Sequence, residues 1–199
     1  MRKRIIAPVL AVLITGTLGS ASPRPDPPEC VQASAWVRAH HDRLPTTLAE
    51  LSRHSTLYRR AIYDALPPAT RQAMWTEQLQ GYLRPGSPLT EPQKVAVRQV
   101  IAQLPALTAV HPDRAVGLRL KAQLSAQFER KLLRQVFVRL GGPVPEQPAV
   151  GPANTRRPLC DCADDGECAL GETCKPILCS FTSGCGVGGW ETCWGVCRT

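Results

Sequence analysis

A chain of 199 residues has room for one ordinary domain and a small module, and its nine cysteines place the module, because eight of them fall between Cys160 and Cys197. The net charge of +8 is unevenly spread: residues 22–140 carry 17 Lys/Arg against 9 Asp/Glu, or +8, whereas residues 159–199 carry 2 against 6, or −4. The basic part argues against nucleic acid as a partner, since its arginines are interleaved with Leu and Ala at helical spacing, the pattern of a solvated helix face.

Residues 1–21 read as a secretory signal, with Arg2-Lys3-Arg4 at the start, an apolar run from Ile5 to Leu18, and small residues before a cut between Ala21 and Ser22. The apolar run is shorter than the ~20 residues that cross a bilayer core, so no stable transmembrane segment is expected after the cut, and the chain is expected to be secreted. Cys30 follows Pro27-Pro28-Glu29 and not the small-residue box of a lipid-modified cysteine. Residues 22–28, with four prolines, predict an extended spacer.

From Ala33 to Leu140 the pattern is helical throughout. Trp36 and Val37 begin an amphipathic stretch that Pro45 stops. Thr47 and Glu50 have the spacing of a capping box, and Tyr58, Ala61, Ile62 and Ala65 mark one buried face of the helix that follows. Pro67-Pro68 ends that helix and starts another, carrying Trp75, Leu79, Tyr82 and Leu83, which Pro85-Gly86 closes. A second capping box, Thr90 with Gln93, opens a helix with Val97, Val100, Ile101 and Leu104 on one face. After Pro112 a single long helix is predicted, with a four-residue ladder from Val116 to Leu140 ended by Gly141-Gly142. No stretch here reads as a strand, and residues 22–140 predict an all-α bundle of four or five helices.

Residues 141–158 (GGPVPEQPAVGPANTRRP) change character, with five prolines and little to bury. They predict a linker, and exposed unpaired backbone of this kind concentrates proteolysis, so a processing protease is expected to cut here, between Val150 and Thr155.

Residues 159–199 are too few to bury a sufficient apolar core, so cross-links must hold them. Cys160, Cys162, Cys168, Cys174, Cys179, Cys185, Cys193 and Cys197 predict a framework of four disulfides in an exported chain, with 105 pairings open. Metal is disfavoured, because the segment has neither a C-x2-C pair nor a histidine. The fold class is therefore an all-α helical N-terminal region followed by a small disulfide-rich, loop-dominated module. Glycines around Cys185 are expected where backbone bends closely about a bridge. Trp190 and Trp194, on one side of either a helix or a hairpin, read either as packing over the bridges or as a contact to membrane or target. Cys30 leaves an odd count, and its partner is open. The opposite charges of the two parts predict a salt-sensitive contact by which the helices restrain the module.

The run Cys174-Lys175-Pro176-Ile177-Leu178-Cys179, then Ser183-Gly184-Cys185-Gly186-Val187-Gly188-Gly189-Trp190, then Cys193 and Cys197, resembles the fulvocin C-related bacteriocins of myxobacteria, and the opening Cys160-Asp161-Cys162 is similar to their C-x-C start. The resemblance covers about the last fifth of the chain, with the acidic run Asp161 to Glu167 and a wider final C-x3-C as departures. It implies a precursor whose C-terminal peptide acts on the envelope of competing bacteria, directly or through a receptor. Residues 162–174 are also similar to the C-x-x-D-x-x-C-x-x-G-x-x-C pattern of small extracellular modules, which implies an uncleaved adhesion or interaction protein instead.

No catalytic or cofactor-binding residue is predicted. His40, His41, His54 and His111 lack metal-ligand spacing and accompany no nucleophile motif, so they are expected at surfaces or helix ends.

Overall fold

The computed structural model describes residues 28–142 and, beyond them, 159–160, 173–176, 179, 185–189 and 195–198. The first of these stretches is mostly helical, with α1 Pro28–Ala39, α2 Leu48–Leu51, α3 Thr56–Ala65, α4 Pro68–Gly81, α5 Glu91–Leu107, α6 Arg114–Ser125 and α7 Arg130–Phe137. A 3₁₀ turn, His41–Arg43, links α1 to the loop ahead of α2. The helix α1 starts earlier than its apolar pattern suggests. Pro28 is its first residue, where a proline's missing N–H costs nothing, and Glu29 and Arg38 complement the helix dipole at its two ends.

Both capping boxes form. The Thr47 hydroxyl accepts from the Glu50 N–H (3.2 Å) while the Glu50 carboxylate accepts from the Thr47 N–H (3.3 Å). Thr90 and Gln93 reciprocate in the same way at the start of α5. Pro68 opens α4, and α5 runs through the exposed Pro105 to Leu107, where the Thr108 hydroxyl donates to the Leu104 carbonyl (2.8 Å).

Seven helices stand where four or five are expected, because two predicted helices are each broken once. The first break, at residues 52–55, turns the Ser52 and His54 carbonyls out of the helix ladder and onto the guanidinium of Arg59, whose Nε donates to His54 (2.7 Å) and whose Nη2 donates to Ser52. The second break, at residues 126–129, divides the ladder from Val116 to Leu140. At about 100° per residue, a strict four-residue repeat drifts ~40° per step, so one straight helix would carry the ladder most of the way round its axis. Breaking it resets the phase, and Leu120 and Leu124 on α6 and Leu133, Val136 and Phe137 on α7 all reach the core.

The core is continuous through α1, α3, α4, α5, α6 and α7, with Trp75, Val97, Val100, Leu104, Val136 and Phe137 essentially shut off from solvent. The Trp75 indole N–H donates to the Tyr63 hydroxyl (3.1 Å), so its polar atom is satisfied where it is buried. A smaller cluster of Leu51, Ile62, Leu66 and Met74 packs beside Trp36. His40 stacks on Trp36 (4.3 Å) and His54 meets it edge-on (5.0 Å), whereas His41 and His111 are exposed.

Asp64 pairs with Arg60 one turn earlier on α3 (2.9 Å), with Arg71 and Tyr63 close by, yet its Oδ2 is buried without a hydrogen-bond partner. Burial outweighs the attraction of the two arginines and pushes the carboxyl up to about 6. An unfolded aspartate titrates near ~4, so the folded chain holds the extra proton between about pH 4 and 6. Stability contributed by the neutral form is therefore lost as pH rises through that window. The urea midpoint should fall between pH 4.5 and 6.5 by on the order of 1–2 kcal/mol of stability, and Asp64→Asn should flatten that slope.

Beyond the helices, β1 Leu159–Cys160, β2 Thr173–Pro176 and β3 Gly195–Arg198 form an antiparallel sheet with β3 central. Its register sets Cys160 opposite Gly195 and Cys174 opposite Cys197. Pro176 lies on the edge strand β2, where a missing N–H is tolerated. Among the described residues no helix is long and apolar enough to cross a membrane.

Candidate functional site

The site is the seat where the helical body holds the cysteine-rich segment, and the end of α7 builds it. The last carbonyls of a helix have no partner inside it. Those around α7 are claimed from three directions. Gln78 on α4 donates its amide to the Val136 carbonyl (3.1 Å) and the Arg139 carbonyl (3.0 Å), while its oxygen accepts from the Gly141 N–H (2.8 Å). Arg59 donates through Nη1 to the carbonyls of Leu140 (3.3 Å) and Gly142 (2.8 Å). The Phe137 carbonyl, finally, accepts from the backbone N–H of Val187 (2.9 Å), so a residue of the cysteine module caps a helix of the body.

Gly141 and Gly142 adopt φ of 87° and 70°, the left-handed turn that lets the chain leave the helix end, and Arg59 closes over that turn. Arg59 is buried, and burial lowers its affinity for the proton. Its fork of donors bonds four carbonyls from two segments. Arg59→Ala should cost about 2–4 kcal/mol, and Arg59→Lys, which keeps the charge without the fork, should recover little of it in a urea titration.

Val187 is 1% exposed and joins the same apolar core as Cys30, Ala33, Leu120 and Phe137. It sits in a tight turn closed by the Gly189 N–H on the Gly186 carbonyl (3.1 Å), with Gly186 at φ 85° and Gly189 at φ 64°. Across from it, Gly117 on α6 lies so near that a Cβ there would stand 3.0 Å from the Gly188 carbonyl oxygen. Two backbones meet at this point, and a side chain on α6 would require the Gly188 backbone to give way. Of the glycines expected around Cys185, Gly186 and Gly189 are thus in use for their dihedrals.

The remaining tie is covalent. Cys30, whose partner the sequence leaves open, is bonded to Cys179 across a sequence separation of 149, with Cα atoms 5.6 Å apart. Cys30 is 1% and Cys179 4% exposed, so the bridge lies inside the core and away from solvent. In the chain-entropy account, closing a loop of that length stabilises the uncut chain by about 5 kcal/mol. Cys185 is also disulfide-bonded. With Cys179 bonded to Cys30, the self-contained framework of eight paired cysteines expected of residues 159–199 is not the arrangement seen here, because a cysteine of the helical body takes one of its places.

Of the other cysteines read from the sequence, Cys160, Cys174 and Cys197 fall on β1, β2 and β3. Cys162, Cys168, Cys193, Trp190, Trp194 and the signal cut at Ala21 and Ser22 lie outside the described residues. The described contacts between body and module include apolar, backbone and covalent ones. Val187, Gly117 and Phe137 had no sequence signal as a group, and the odd cysteine count was the one pointer to Cys30.

No family model, curated protein or solved structure matches this chain. The functional reading therefore rests on the seat and on the residues it holds.

Proposed function

We propose that the chain is a secreted precursor of a cysteine-rich antibacterial peptide, in which residues 22–140 form a helical pro-region and residues 159–199 a small disulfide-rich, loop-dominated module. A processing protease acts in residues 141–158, and the module then acts on the envelope of competing bacteria, directly or through a receptor. The observation that carries this reading is which part of the module the body covers. Val187, buried against the end of α7, stands in the middle of the Gly184-Cys185-Gly186-Val187-Gly188-Gly189-Trp190 element that resembles the fulvocin C-related bacteriocins. A pro-region that restrains a toxic peptide is expected to occupy such an element.

The buried Cys30–Cys179 bridge also favours a second reading, an uncleaved extracellular interaction protein, since it would hold the two parts together for the life of the chain. The reduced mass of the secreted species separates the two. A fragment of about 40 residues that inhibits bacterial growth more than the full chain is the expected result, and a full-length chain without inhibitory activity would support the second reading.

A further inference from the structure

We propose that the Cys30–Cys179 bridge is an exchange site, a latch that the module's own thiol opens by displacing Cys30. The inference rests on the linker cleavage in the function proposed above, though its chemistry does not depend on antibacterial activity. Three observations carry it: the place of the bridge relative to the linker, the parity of the cysteines, and the burial of both sulfurs.

Every cut within residues 143–158 falls inside the loop that Cys30 and Cys179 close, so proteolysis alone leaves body and module joined. The chain has nine cysteines. With Cys30 and Cys179 bonded to each other, seven remain in the module, an odd number, so full internal pairing leaves one thiol there. That thiol, once deprotonated, attacks the Cys179 sulfur. A new module disulfide forms, the Cys30–Cys179 bond breaks, and Cys30 leaves as a thiolate that takes up a proton. The number of disulfides is unchanged, and no oxidant or reductant is consumed. The product is a module with all eight of its cysteines paired, and a body with Cys30 as its thiol.

Burial sets the order of events. At 1% and 4% exposure the two residues give an attacking thiolate no approach while residues 185–189 are seated. Cys30, Cys179 and Val187 belong to the same buried core, so lifting Val187 from the end of α7 loosens the packing that shuts the bridge off from solvent. Cleavage of the linker frees one end of the module, undocking exposes the bridge, and exchange then releases the peptide.

The test uses the full chain with a site-specific protease sequence placed within residues 146–155, so that failure of natural processing is read separately. After cutting, the unreduced protein should remain one species, and iodoacetamide should add one group, on the module side. Moderate urea at pH 8, or the Gly117→Val variant, which forces the Gly188 backbone away, should separate the pieces and move the added group to Cys30. Separation should slow about tenfold for each pH unit below the thiol pKa. Cys30→Ser should let the cut pieces part on undocking at any pH, with no thiol on the module. Pieces that part while Cys30 stays unlabelled, that stay joined at pH 8 after undocking, or that carry a labelled Cys30 before the cut would each overturn the latch.

Discussion

Val187→Asp should detach residues 185–189 from the helical body. The substitution removes a side chain whose burial contributes about 2 kcal/mol and sets in its place a carboxylate whose burial without a partner costs several more. The native position is 1% exposed, and its backbone N–H donates to the Phe137 carbonyl. Exchange of the Val187 backbone amide with solvent should rise by a hundredfold or more, and the Cys30–Cys179 bridge should become reducible by dilute thiol. Protection unchanged from the parent would mean that the turn is held by something other than the valine.

The second large effect is expected at Phe137. Its ring is fully buried and meets Phe128 edge-on, with centroids 5.1 Å apart and planes at 85°. Truncation to alanine removes that pair and leaves a cavity between α6 and α7, at a cost of about 3–5 kcal/mol. For a domain whose whole stability is of order 5–15 kcal/mol, this is a large share. Phe137 also sets the carbonyl that Val187 caps, so Phe137→Ala should lower the urea midpoint and loosen the seat together. Phe137→Leu, which refills most of the cavity, should lower the midpoint by less than half as much. Equal effects from the two variants would argue that the edge-on ring contact, and not the volume, matters at this position.

Local chemistry was the legible part of the fold. Thr47 with Glu50 and Thr90 with Gln93 state their own hydrogen bonds in four residues, and Pro68 announces a helix start, so these ends stand where the pattern placed them. The two breaks were not legible, because their causes are distant. Residues 52–55 leave the helix to meet Arg59, which also reaches Leu140 and Gly142 across more than eighty positions. The drift of a four-residue ladder could have warned of the second break, since geometry alone forbids it from staying on one face. At the seat, parity marked Cys30 as the odd cysteine, but its pairing with Cys179 depends on how α1 is placed in the bundle, and no local pattern encodes that. Gly117 reads as an ordinary weak helix residue until the Gly188 backbone is set against it.

The measurement that bears most directly on the account is the disulfide map of the intact, uncut secreted chain. Free thiols are blocked at low pH, the unreduced protein is digested, and the linked peptides are identified by mass before and after reduction. The account predicts a peptide containing Cys30 joined to one containing Cys179, with a single blocked thiol elsewhere in the chain. A blocked Cys30 in the uncut chain, with Cys179 joined to another cysteine of residues 159–199, would contradict it.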